Sequence, residues 1–91
     1  MITLKQAIKL ANQSFLESDT EYMKSRRITG ASEFKKGWWL SFNDCEWGGL
    51  LFVVKETGDV LWGNPPPLDY LEKEESPREV PDKEFHEAAG Y

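Results

Sequence analysis

The longest unbroken apolar run in the chain, Leu50 to Val54, is the feature that most constrains its fold. The run is far shorter than the roughly 20 residues needed to cross a bilayer, and its length suits one strand. Its nearly continuous β-forming side chains predict a central strand that is buried on both faces. In a chain of 91 residues a single core must serve the whole domain.

Two neighbouring segments are also predicted to be strands. Residues Trp38 to Asn43 alternate, with Trp38, Leu40 and Phe42 on one face and Trp39, Ser41 and Asn43 on the other. After the run, residues 56–59 form a turn in which Gly58 can take a positive φ, and residues 60–62 return antiparallel. Three consecutive prolines at 65–67 cannot donate to a ladder and end the sheet.

Helical patterns flank the strands. Thr3 and Gln6 form a capping box, followed by apolar residues at three-and-four spacing and an end near Glu17. A weak pattern over residues 26–29 suggests another strand before a turn at residues 35–37, and residues 68–71 open a short helix. Beyond residue 76 the chain is predicted to be mobile or to form a marginal last helix that starts near Pro81.

These elements predict an α+β fold with two layers. An N-terminal helix packs on a three- to four-stranded antiparallel sheet, with a short C-terminal helix and an acidic tail. We expect one domain over residues 1–75, with residues 76–91 as an acidic C-terminal tail or marginal helix.

The charge of the chain is unevenly distributed. The net charge is −5, and residues 69–91 account for all of it with eight acidic and three basic side chains. A surface of this sign repels nucleic acid and anionic membranes and favours basic proteins, although a solvated acidic tail also serves solubility alone. The first residues lack a basic region followed by an apolar one, so we expect no secretory signal and a cytoplasmic location. The pattern leaves open a monomer or a homodimer.

The candidate catalytic residues do not form a convincing set. His86 lies in a charged segment, where a solvated histidine is expected more often than a catalytic base. Cys45 lies between Asp44 and Glu46, and neighbouring carboxylates raise the pKa of a thiol, which weakens a nucleophile. The same two acids give only a weak cation signal. We therefore expect no enzyme, no metal site and no cofactor.

Three of the four tryptophans fall within ten positions. Trp38 and Trp62 follow the inward pattern, so we expect them in the core. Trp39 follows the opposite face, and Trp47 lies among acids and glycines. Exposed tryptophan beside acidic residues is typical of a protein-binding hot spot. The alternative, equally weighted, is that the first or last helix covers these two rings.

The order of these segments resembles the immunity protein 35 family, the YrhB-like small bacterial proteins. The resemblance covers about residues 1–75 and depends on the opening Met-Ile-Thr, Gly37-Trp38, the strand 51–55 with its Glu-Thr-Gly-Asp turn, and the Pro-Leu-Asp-Tyr-Leu stretch at 67–71. The short link at residues 43–49 and the longer acidic tail depart from the family pattern. The resemblance implies a cytoplasmic protein that neutralises a polymorphic toxin by binding it, although some relatives look like holdase chaperones.

We therefore expect an immunity protein that occludes a cognate bacterial toxin, with a basic nuclease as one candidate. The alternative is a general holdase-like chaperone or peptide-binding module that uses a sheet edge or an apolar patch. The expected partner-binding residues combine two tryptophans with nearby acids: Trp39, Asp44, Glu46, Trp47, Glu72, Glu74 and Glu75.

Overall fold

A computed structural model of the chain describes residues 1–18, 21, 26–42, 51–62 and 76–91. The described elements are helix α1 (Leu4–Leu16), strands β1 (Ile28–Glu33), β2 (Gly37–Phe42), β3 (Leu51–Val54), β4 (Val60–Trp62) and β5 (Arg78–Glu79), and helix α2 (Asp82–Ala89). The strands form one sheet in the order β4-β3-β2-β1-β5, and all neighbours are antiparallel. This is an α+β fold, as predicted, with five strands instead of three or four.

Helix α1 begins at the predicted capping box. The Thr3 hydroxyl accepts from the Gln6 backbone N–H at 3.3 Å, and the Thr3 N–H donates to Gln6 Oε1 at 2.9 Å. The helix ends at Leu16 with Glu17 as its C-cap, which confirms the predicted end. Its buried stripe is the predicted one: Leu4, Ala7, Ile8, Ala11 and Phe15.

Strand β3 is buried on both faces, as its apolar run predicts. Leu51 and Val53 join the cluster beneath the helices, whereas Phe52 and Val54 join a smaller cluster on the opposite face. All four residues are buried. The sheet therefore carries apolar side chains on both faces, with α1 and α2 packed on one of them.

The hairpin between β3 and β4 has the predicted turn. Gly58 adopts a φ of 79°, and the Val54 N–H donates to the Asp59 carbonyl at 2.9 Å. The expectation that Trp62 belongs to the core is wrong in part, because this side chain is 50% exposed. Trp62 shares the helix-covered face and meets Phe15 edge-on at 5.7 Å, but β4 is the outermost strand of the described sheet.

The C-terminal residues form the last helix that was one of the two predicted alternatives, and a short strand precedes it that was not predicted. Strand β5 pairs with β1, and the Val80 N–H donates to the Ala31 carbonyl at 3.1 Å. Helix α2 follows Pro81, is capped at its C-terminus by Gly90 with a φ of 81°, and buries Phe85 to 3% exposure. The predicted link at residues 43–49, the proline stop and the short helix at residues 68–71 lie outside the described residues.

Side-chain charges join this C-terminal unit to the sheet. The buried Lys55 ammonium donates to Glu33 Oε2 at 2.8 Å, and Arg78 contacts Glu33 Oε1 at 2.8 Å. Arg78 also contacts Glu84 of α2 at 2.9 Å. Lys55 lies 4.7 Å from the centroid of the Trp38 ring, an additional cation–π contact. One carboxylate therefore links the β3–β4 turn, β1 and β5.

The protonation of Glu33 depends on these contacts. The hydrogen bond from Lys55 lowers the pKa of Glu33 below its usual range, partial burial opposes this shift, and Arg78 adds to the lowering. A carboxylate with a lowered pKa in the folded state stabilises that state above its unfolded pKa. The contribution is lost as the pH falls through the folded-state pKa.

Replacement of Glu33 tests this network. Glu33→Gln is expected to reduce the free energy of unfolding at about pH 7 by about 1.5 kcal/mol, because it leaves the buried Lys55 without its carboxylate. The difference from the original chain is expected to shrink at about pH 2.5, because a larger fraction of Glu33 is protonated there than at about pH 7. Urea unfolding at both pH values measures it. Glu56→Gln, in the exposed turn, is the matched control; an equal loss at both pH values would contradict the assignment.

Candidate functional site

One row of side chains crosses all five strands on the face opposite the helices. The antiparallel register places Glu79 opposite Ser32, Ser32 opposite Trp39, Trp39 opposite Phe52, and Phe52 opposite Leu61. Directly opposed residues on antiparallel strands project from the same face of a sheet. We call these five residues the cross-sheet row; it is the candidate binding surface.

The centre of the cross-sheet row is a rigid aromatic platform. Phe52 is fully buried, and its ring centroid lies 6.0 Å from that of Phe34 and 6.4 Å from that of Trp39. Trp39 and Leu61 are only partly buried against this cluster. A tryptophan held on a packed support loses little side-chain entropy on binding, which suits it to anchor a partner.

Gly37 makes room for this platform. A Cβ atom at this position would lie 2.3 Å from two ring carbons of Phe52 and 2.7 Å from the Val53 carbonyl oxygen. Real Cβ atoms essentially never approach so closely, so any side chain would displace the ring. A glycine is therefore required before Trp38, because the Phe52 ring lies directly against the backbone at this position.

The two ends of the cross-sheet row differ in polarity. Glu79 is exposed at one end, whereas the apolar Leu61 lies at the other. Because neighbouring strands are about 4.8 Å apart, the backbone of Glu79 is about 10 Å from that of Trp39. An aromatic centre with a charged rim is the arrangement common in protein interfaces.

Of the predicted contact residues, Trp39 lies in the described part of the chain. It occupies the face opposite Trp38, as the alternation predicts, and its cluster contains no described residue of α1 or α2. Those two helices therefore do not account for its partial burial. The remaining predicted residues lie outside the described ranges: Asp44, Glu46, Trp47, Glu72, Glu74 and Glu75.

The described residues that flank two of the gaps in the structure lie close together at one end of the sheet. Leu51 is paired with both Leu40 and Trp62, and the Phe42 and Trp62 rings are 6.0 Å apart. Segment 43–50 starts after Phe42 and ends before Leu51, and segment 63–75 starts after Trp62. The two segments that carry the other candidates therefore join the sheet at neighbouring points.

Sequence reasoning missed Ser32, Leu61 and Glu79 as members of the surface. The alternation of β4 could have placed Leu61 on the face opposite Trp62. Ser32 and Glu79 depend on the pairing of β1 with β5, two segments separated by more than forty positions, and no local pattern reveals that register.

The remaining sequence candidates for chemistry are His86 and metal-ligating side chains. His86 is exposed, and its Nδ1 contacts the Tyr91 carbonyl oxygen. Within residues 1–18, 21, 26–42, 51–62 and 76–91, no three His, Cys, Asp or Glu side chains gather in a way that could hold a metal ion. Neither described helix has the length and apolarity to span a membrane.

Comparison with known proteins adds no relative: no family model, no curated protein and no solved structure matches the chain. The resemblance to immunity proteins therefore stays a prediction from the sequence.

Two glycine substitutions test the support beneath Trp39. Gly37→Ala is expected to lower the free energy of unfolding by about 2 kcal/mol, because the new methyl group overpacks against Phe52. Gly30→Ala is the matched control on the neighbouring strand, where the added Cβ meets only the Ser41 hydroxyl, at 2.9 Å, and that hydroxyl can rotate away. Urea unfolding of both variants measures the difference. Equal losses would show that the Phe52 ring does not depend on Gly37.

Proposed function

We propose that this chain is an immunity protein, which binds a cognate bacterial toxin and neutralises it by covering its working surface. The observation that carries the proposal is the cross-sheet row, in which a partly buried tryptophan lies on a fully buried platform with an exposed acid at the rim. The two helices pack on the other face. The resemblance stated from the sequence points the same way.

The charge of the chain favours a basic toxin. The net charge of −5 attracts a positively charged partner, and such steering raises association rates by about 10- to 1,000-fold at low salt. A nuclease must present basic residues to its phosphate substrate, so it is the toxin class that best complements this surface. Glu79, at the rim of the cross-sheet row, would pair with such basic groups.

A second candidate, a peptide-binding or holdase-like module, is favoured by strand β4. This three-residue strand is the outermost one of the described sheet, and its Trp62 is half exposed. Peptides often add to such an edge through backbone hydrogen bonds. This mode would use Trp62 and the β4 backbone, whereas the immunity proposal uses Trp39.

Growth of a bacterial host tests the function itself. The open reading frame next to the gene of this chain is expressed alone and then together with it. Immunity predicts that the neighbour stops growth alone and that co-expression restores it. A harmless neighbour, or one that kills regardless, would contradict the proposal, and suppression of aggregation of unrelated proteins would then favour the holdase.

Paired tryptophan variants locate the contact. Trp39→Ala is expected to weaken toxin binding by about 2 kcal/mol, or about 30-fold, because a central aromatic anchor is lost. Trp62→Ala removes the same side chain from the opposite face and is expected to leave affinity nearly unchanged. Isothermal titration calorimetry measures both, with circular dichroism as the folding control. A loss confined to Trp62→Ala would move the contact to the edge of β4.

A further inference from the structure

A second surface, on the helix side of the molecule, has a different chemistry. A groove of about 660 Å³ runs between α1 on one side and the end of α2 with Tyr91 on the other. Its apolar lining includes Ile8, Leu16, Ala88, Ala89 and Tyr91. Its volume lies within the roughly 300 to 1,000 Å³ typical of small-molecule sites.

Two lysines line the same groove. Lys5 and Lys9 are one helical turn apart, so their side chains lie on the same face of α1, where like charges at this spacing are unfavourable. Both are exposed, and neither forms an ion pair within the described part of the chain. On a protein with a net charge of −5 this is a local positive site, and an anionic group would relieve the repulsion.

The charged and apolar parts of the groove are separated along α1. Lys5 and Lys9 belong to the first two turns, whereas Leu16 is the last helical residue and is 66% exposed. A rise of about 1.5 Å per residue puts Lys5 and Leu16 about 16 Å apart along the helix axis. The groove therefore offers cations toward one end and an exposed apolar side chain at the other.

Contacts of Tyr91 with β1 and α1 hold the C-terminal wall of the groove in place. The Tyr91 hydroxyl donates to the Ile28 carbonyl and accepts from Asn12 Nδ2, which ties it to both β1 and α1. The Asn12 Oδ1 also accepts from the Ile28 N–H at 2.9 Å. The Arg27 guanidinium lies 5.0 Å from the centroid of the Tyr91 ring. The groove is thus preformed, which lowers the entropic cost of binding.

We propose that this groove binds a small anionic amphiphile, a molecule with an apolar tail and a carboxylate head. The head contacts Lys5 and Lys9, and the tail follows the apolar wall toward Leu16. A helical peptide is a poorer fit, because α2 has only eight residues and offers a wall of about 12 Å. The site is independent of the proposed toxin surface, since its cations repel a basic protein.

Laurate, below its critical micelle concentration, is the probe. Titration of the ¹⁵N-labelled chain is expected to give saturable shifts centred on the amides of Leu16, Ala88 and Ala89. Dodecyltrimethylammonium has a similar tail and a positive head, so it is expected to bind at least about 5-fold more weakly because it meets the lysines with like charge. Absence of saturable binding, shifts centred on the cross-sheet row, or equal affinity for the two amphiphiles would each overturn the proposal.

Substitutions at the two ends of the groove test which end binds the carboxylate head and which binds the apolar tail. The double variant Lys5→Gln/Lys9→Gln is expected to weaken laurate binding at least about 5-fold, and Leu16→Glu is expected to weaken it further by placing a charge beside the tail. Lys36→Gln/Lys83→Gln is the control that removes the same charge from exposed positions outside the groove. The three variants change only exposed side chains, and circular dichroism checks that each variant is folded. An equal loss in the control would reduce the effect to net charge and overturn the proposal.

Discussion

Burial of β3 on both of its faces is the constraint on which the rest of this structure depends. Leu51 and Val53 are covered by the packing of α1 and α2, whereas Phe52 and Val54 must be buried by a separate cluster. Gly37 serves the second cluster, because only a residue without a side chain lets the Phe52 ring lie so close to β2. A chain this short therefore builds one principal core and a small aromatic layer on the reverse of the sheet.

The two candidate surfaces lie on opposite sides of the sheet and differ in their chemistry. The reverse face presents Trp39 on a buried platform with Glu79 at its rim, which suits a protein partner of positive charge. The helix side presents an apolar groove with Lys5 and Lys9, which suits a small anionic molecule. The Glu33 network connects β5 and α2 to the centre of the sheet, so the residues that complete both surfaces are held to the same core.

The elements with local signals were predictable from the sequence. The capping box fixed the start of α1, the alternation of β2 separated Trp38 from Trp39, and the Gly58 turn set the hairpin. Strand β5 was not predictable, because a two-residue Arg-Glu strand has no apolar period and forms only through pairing with the distant β1. The exposure of Trp62 was missed because periodicity gives a face and does not reveal that β4 is the outermost described strand. In the candidate surface, the alternation of β2 was enough to predict the face on which Trp39 lies. The positions of its neighbours Ser32 and Glu79 could not be predicted without the register between strands.

We propose that recognition of a toxin uses the face of the sheet opposite the helices. Cross-saturation NMR tests it most directly, with the toxin unlabelled and the indole and methyl signals of this chain observed in the complex. We expect the strongest attenuation at the Trp39 indole and the Leu61 methyl groups, with little at Leu16, Ala88 and Ala89. Attenuation confined to those last three residues would place the partner on the helix side and contradict recognition through the cross-sheet row.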